Sequence, residues 1–218
     1  MVESSLRQPT QARAQRTREA LLRAAAAEFS EHGYARATTK SIAERANVAT
    51  GSVYQYFKNK DGLLRELARM RIEKMEGSAL SLLPSPVALS PAQGSEAMLP
   101  ALGAIVDLVI AQHRADPGLH AVLTERRHVD EELDRMTSQF EARLIDRAAT
   151  WLNTWNSPGD HQATAFILFG MLEGSIHTHV LGRPQVSDAR FKTALVEALV
   201  RVSRPDLHQP TSTRSSRT

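Results

Sequence analysis

Residues Thr38 to Leu64 read TTKSIAERANVATGSVYQYFKNKDGLL. The order of residues predicts a short helix, a tight turn, a second short helix and a basic step into a third. Thr38 is placed to cap the first helix, because a threonine hydroxyl satisfies an amide that the first turn leaves unpaired. Its inward face would be Ile42, Ala43 and Ala46. Asn47 tolerates the left-handed backbone that a sharp interhelical turn needs, so Ala46-Asn47-Val48 supplies a small packing residue, a turn residue and a buried anchor. Val53 and Phe57, four apart, would fix the second helix against the first. Its outer side then carries Thr50, Gly51, Ser52, Tyr54, Gln55 and Tyr56, small or hydrogen-bonding groups of the kind that approach base edges and phosphates. Lys58 and Lys60 add charge just beyond it.

Together with its flanks this stretch resembles the DNA-binding domain of the TetR family of bacterial transcriptional regulators. The resemblance rests on Phe29 and Gly33-Tyr34 closing a helix from Arg16 to His32, then Ile42-Ala43, Val48, Gly51 and Tyr54-x-Tyr56-Phe57. Lys60, Leu63 and Leu64 follow. Four residues depart from the family pattern: Asn47 stands where glycine is commonest and Ala49 where a serine or threonine cap is usual. Thr39 stands where an aliphatic is frequent, and Ser41 where an acid often completes a capping box. The resemblance implies that Thr38, Lys40, Tyr54, Tyr56 and Lys60 hold phosphates, that Thr50, Gly51 and Gln55 lie nearest base edges, and that Arg16 grips the duplex from the arm. It also implies a palindromic operator on double-stranded DNA, a homodimer, and a small-molecule effector of unknown identity bound by a second domain.

Charge is distributed to match. Residues 1–60 hold ten Lys/Arg against five Asp/Glu, whereas residues 61–203 hold fourteen against eighteen. A positive end draws DNA through counterion release, and the acidic remainder has no evident use for phosphates. The chain contains no cysteine, which excludes disulfides, thiol sensing and cysteine-ligated metals. The N-terminus lacks the apolar run of a signal peptide and no membrane span is visible, so a cytoplasmic location is expected.

The remainder predicts an all-α fold. Asp61 to about Ser78 continues helically with Leu63, Leu64, Leu67, Met70 and Met75 inward, and SLLPSPVALSPAQGS (81–95) reads as an irregular linker. Strong breakers then divide helices at 98–114, 117–126, 129–155, 160–181 and 187–203. The expected domains are a flexible basic arm (1–14), a three-helix helix-turn-helix domain (15–75, motif 38–57), a larger helical effector-binding and dimerisation domain (76–203), and a disordered tail (204–218).

Residues 160–181 are apolar on two sides and residues 187–203 on one, which suits either a homodimeric four-helix bundle or closure of the subunit's own core. The interface candidates are Phe166, Ile167, Gly170, Gly174, Phe191, Leu195 and Leu199. The effector-pocket candidates are Phe140, Trp151, Trp155, Phe166 and Phe169, with His113, Glu173 and His177 as polar groups. Aromatics at helical spacing equally suit a core.

Catalytic machinery is not visible: no G-x-S-x-G, phosphate loop or cysteine nucleophile occurs. No cofactor is called for. A metal is not expected either, since no H-E-x-x-H occurs and His177 and His179, two apart, diverge on a helix. His128, Asp130, Glu131, Glu132 and Asp134 read as a solvated charged turn. The expected function is a DNA-binding transcriptional repressor released by its effector. An activator, a ligand-independent regulator and a sequence-independent architectural DNA binder remain as alternatives.

Overall fold

The computed structural model describes residues 7–82, 91–154 and 157–204, and every regular element among them is a helix. In chain order these are α1 (Arg7–Arg36), α2 (Thr39–Arg45), α3 (Thr50–Tyr56), α4 (Lys60–Leu82), α5 (Pro91–Ala115), α6 (Pro117–Arg127), α7 (Glu131–Thr154), α8 (His161–Leu181) and α9 (Asp188–Ser203). Several boundaries differ from the sequence reading for local reasons. α1 starts at Arg7, inside the expected flexible arm, and Arg16 sits on its exposed face. α5 starts at Pro91, inside the expected linker, because proline is favoured at the first helical position, where its missing N–H costs nothing. The linker residues 83–90 and the tail beyond Arg204 lie outside the described residues.

The chain packs as two units. The first comprises residues 1–75 and 116–138, the second 76–115 and 139–218. The expected division at 75/76 therefore needs a correction, since α6 and the start of α7 belong with the N-terminal unit. The reason lies in side chains: Leu119, Val122 and Leu133 are buried in one cluster with Leu21, Phe29, Ile42, Val53, Phe57, Leu63 and Leu64. Met70, expected inward on α4, is instead 47% exposed.

Asp116 starts α6 and fastens it to α1. Its Oδ1 accepts from the Leu119 amide at 2.9 Å and from Ser30 Oγ at 2.7 Å. Gly118 permits this approach, because an added Cβ would lie 2.8 Å from Ser30 Cα and closer still to that residue's oxygens. Asp130 fastens α7 to α4: it is 5% exposed, and Arg65 Nε donates to both carboxylate oxygens at 3.0 Å. Burial alone would raise the Asp130 carboxyl. The Arg65 guanidinium and the Leu133 and Glu132 amides outweigh burial and hold it below its ordinary value. The expected solvated turn is thus wrong at Asp130.

In the second unit α5, α8 and α9 pack on one another. Met98, Leu102, Val106, Val109 and His113 form the buried stripe of α5; Ala165, Ile176 and His179 face inward on α8, and Leu195, Val196 and Leu199 on α9. Leu195 and Leu199 are 6% and 2% exposed, and Phe191 stacks on His179 at 4.0 Å. These three interface candidates therefore close the unit's own core. Asp188, at the start of α9, meets His179 Nε2 at 2.9 Å and accepts from Arg114 at 2.7 Å. These two partners hold its carboxyl below the usual range.

Candidate nucleic-acid interface

The turn between α2 and α3 is built by local hydrogen bonds. Thr38 Oγ1 accepts from the Ser41 amide at 3.0 Å, and Ser41 Oγ accepts from the Thr38 amide at 3.1 Å. Ser41 therefore completes the capping box itself, at a position where an acid is frequent. Asn47 adopts φ 55°, the left-handed value expected of it. Ala49 begins α3 with no side-chain cap. What holds α3 is burial: Ile42, Ala43 and Val53 are fully buried and Phe57 nearly so, with Val48 and Tyr56 packed on the same cluster. Upstream, Gly33 takes φ 71° and ψ 169°, which sharply breaks α1 before Tyr34. That region is essentially open to glycine alone.

On the outer side of α3, Thr50, Gly51, Tyr54 and Gln55 are exposed, and an added Cβ at Gly51 would meet nothing within 4 Å. Tyr54 is 57% exposed, and its hydroxyl shares a 3.0 Å hydrogen bond with Thr39 Oγ1. Thus Thr39, whose hydroxyl replaces a common aliphatic, steadies a residue on the open face. Lys40 and Lys58 are exposed; Ser52 and Tyr56 are half-buried; the Thr38 hydroxyl is occupied by the cap.

Lys60 is engaged inside the protein. Its Nζ donates to the carbonyls of Tyr34 at 2.9 Å and Ala37 at 3.2 Å, and lies 4.1 Å from the Tyr34 ring centroid. Two of its three N–H groups are therefore used inside the protein. Arg126 of α6 lies 4.0 Å from the same ring centroid, and the Tyr34 phenol donates to Asp61. Burial first, then the Asp61 hydrogen bond and charge, push that phenol up to about 12, so it stays a donor. Sequence spacing could not reveal this hub, since its members come from α1, α4 and α6.

The effector-pocket candidates disperse. Phe166 is 66% exposed, Trp151 is buried, Phe140 and Phe169 are half-buried, and Trp155 lies outside the described residues. Only the polar three converge: His113 Nε2 is 3.6 Å from Glu173 Oε2, and the His113 and His177 rings meet edge to face at 6.1 Å.

A capped helix, a left-handed turn and a second helix with an open polar face define a helix-turn-helix protein. Family models agree: the one described as bacterial regulatory proteins, tetR family, matches residues 21–67, and the tetracyclin repressor-like C-terminal domain matches residues 100–202. The chain belongs to the TetR family of bacterial regulatory proteins. A relative named "Probable acrEF/envCD operon repressor" from Escherichia coli is 41% identical over 58 residues. That match spans 27% of this chain and about a quarter (26%) of the relative's length. Among solved structures, the fatty acid degradation regulator FadR from Bacillus halodurans aligns with TM-score 0.65 and 21% identity, covering 88% of this chain and 97% of that one. A TetR transcription regulator from Haloarcula marismortui aligns with TM-score 0.66 and 16% identity, covering 86% and 96%. Identities this low speak to the fold alone. No helix among the described residues is long and apolar enough to cross a membrane.

Proposed function

We propose that the chain is a DNA-binding transcriptional repressor, working in the cytoplasm as a homodimer on a palindromic operator and released by a small molecule. The observation that carries this reading is the two-sidedness of α3: Val53 is fully buried beneath it, while Thr50, Gly51, Tyr54 and Gln55 stand open on its other side. Such a helix presents hydrogen-bonding groups to a major groove at a fixed angle. Exposed Lys40 and Lys58 and the surplus of basic residues before position 61 supply the backbone attraction. Repression is favoured over activation by the likeness to the Escherichia coli relative, itself named a probable operon repressor.

Dimerisation is supported by α8, where Phe166, Ile167, Gly170 and Gly174 form an exposed apolar strip, and a Cβ added at either glycine would meet nothing within 4 Å. Two copies joined there would supply the two-fold symmetry that a palindrome requires. His113, Glu173 and His177 are where a bound molecule would meet polar groups in the second unit. By linkage, a molecule that weakens operator binding must itself bind less tightly to the DNA-bound protein, by the same factor.

The test is selection of duplexes from a random pool by the full chain, followed by sequencing. A two-fold symmetric motif is expected, with base preference altered by Gln55→Ala. Selection of no motif would leave an architectural binder as the better reading.

A further inference from the structure

We propose that Thr39 is a positioning residue for DNA binding: its hydroxyl holds the Tyr54 phenol at the edge of the open α3 face, where that phenol donates to one phosphate oxygen of the duplex. The proposal rests on the DNA-binding reading above. It adds a residue that the sequence marks only as a departure from the family pattern.

Thr39 opens α2 and Tyr54 lies within α3, and the turn brings their hydroxyls to 3.0 Å. The fold does not need this bond. Tyr54 is 57% exposed, Thr39 is half-buried, and neither belongs to the apolar cluster that holds α3, so water would serve both hydroxyls equally well. What the bond does is choose a direction for the ring. A long side chain on a helix leans back over the preceding turn, which for Tyr54 means towards Gly51, three residues earlier. Yet a Cβ added at Gly51 would meet nothing within 4 Å, so the ring stands clear of that glycine and its hydroxyl reaches α2 instead.

Each hydroxyl carries one hydrogen and two lone pairs. Their shared bond uses one hydrogen of the two, and among the described residues neither oxygen has a second protein partner. One O–H is therefore left to point outward. A phosphate oxygen only accepts, and a phenol is a stronger donor than an alkyl alcohol, so the duplex selects the arrangement in which Thr39 donates to Tyr54 and Tyr54 donates to phosphate. Donation into the phenol oxygen polarises its own O–H and strengthens the outward bond. Position points the same way: the first helix of a helix-turn-helix crosses the backbone while the second enters the groove, so a phenol tied to the start of α2 meets phosphate rather than base edges. Lys40, the next residue, is exposed and adds positive charge there. The tie also removes, before binding, rotamer freedom that an untethered tyrosine would lose on the DNA.

The experiment is a double-mutant cycle on the full chain, read by fluorescence anisotropy with a duplex selected from the random pool and with a random duplex. The variants are Thr39→Val, Tyr54→Phe, both together, and Thr39→Ser, which keeps the hydroxyl. Melting temperatures should match the parent's. Tyr54→Phe should weaken binding roughly tenfold and Thr39→Val roughly three- to tenfold, alike on both duplexes, while Thr39→Ser binds as the parent does. The double variant should be no weaker than Tyr54→Phe alone, because Thr39 acts only through the phenol. Neutral hydroxyls release no counterions, so the salt slope should stay unchanged throughout, unlike the loss expected on removing a lysine from a phosphate. A parent that binds neither duplex overturns the repressor reading and this proposal together. A parent that binds no better than Thr39→Val, or an equal loss from Thr39→Val with and without Tyr54→Phe, overturns the positioning role alone.

Discussion

The α2–α3 turn and the α8–α9 region both rest on apolar helix faces, yet they are specified over different distances. Within twenty residues the turn contains its cap at Thr38, its box partner at Ser41, its left-handed residue at Asn47 and its anchors at Val53 and Phe57. The second region is fixed by partners far along the chain: Lys192 with Asp107 at 2.6 Å, Arg114 with Asp188 at 2.7 Å, and His113 with Glu173 at 3.6 Å. Local geometry follows from residue type and spacing. Which face of a helix turns inward depends on what arrives from elsewhere.

Gly118 offers the sharpest test of that distinction, because it lies in neither local motif and yet allows α6 to dock. Gly118→Ala drives a methyl into the Ser30 backbone, and overpacking of this kind costs about 3 kcal/mol at the upper end of its usual range. Urea denaturation should show the loss. An unchanged midpoint would mean that α6 is held far more loosely than its contacts indicate.

Asp130 comes next. Asp130→Asn keeps an oxygen for the Leu133 amide but removes the charge opposite Arg65. Because Arg65 is 40% exposed and water screens it, the loss should be about 2 kcal/mol rather than the larger cost of breaking a fully buried pair. The carboxyl's folded pKa is lowered, so its contribution is fully present above the ordinary aspartate value of about 3.9 and disappears as pH falls through the folded value. The difference between parent and variant should therefore be constant near neutrality and narrow in acid. A gap that persisted at low pH would show that charge is not its source.

Lys60 separates the sequence reading from the structural one. If it neutralises a phosphate, Lys60→Met should lower the salt slope of DNA binding by about one. If it serves the Tyr34 and Ala37 carbonyls, the variant should instead lose about 1 kcal/mol of folding stability with a smaller change in slope. Measuring both quantities on one preparation decides between them.

Gly174 returns the comparison to α8. An added Cβ there meets nothing within 4 Å and the position is exposed, so folding of the subunit should be unaffected or slightly improved by higher helix propensity. Light scattering should nevertheless show weaker self-association, since a bulky side chain in a helix–helix contact costs about 1–3 kcal/mol. An intact dimer would place the interface away from this strip.

The all-α class, the helix-turn-helix and its turn residue were legible because each follows from caps, breakers and 3.6-residue spacing. Much of the rest was not. Apolar periodicity marked both Phe166 and Leu199 as buried by something, but could not distinguish another subunit from α5, and the structure leaves Phe166 open while burying Leu199. Similarly, a run of acids after His128 looks solvated until Arg65 arrives from α4. The internal partners of Lys60 were hidden for a related reason, since those carbonyls lie more than twenty residues away. His113, Glu173 and His177 were singled out as polar pocket candidates, but that His113 lies beside the other two required knowing that α5 packs on α8.

Gly51 gives the smallest effect on folding and the most direct test of the open face. Glycine near the start of a helix loses more backbone freedom than alanine, and the space around a new methyl is empty. Gly51→Ala should therefore leave the melting temperature unchanged or raise it, corresponding to about 0.5–1 kcal/mol of added stability. The absence of internal crowding means that any need for glycine must come from outside the chain. If α3 enters the groove, the methyl sits between backbone and duplex, and operator affinity should fall roughly tenfold, about the value of one good base contact. Stability rising while affinity falls locates the interface on this face. Affinity that rises or stays level with stability would mean that the duplex does not approach Gly51, and that Thr50 and Gln55 are not its readers.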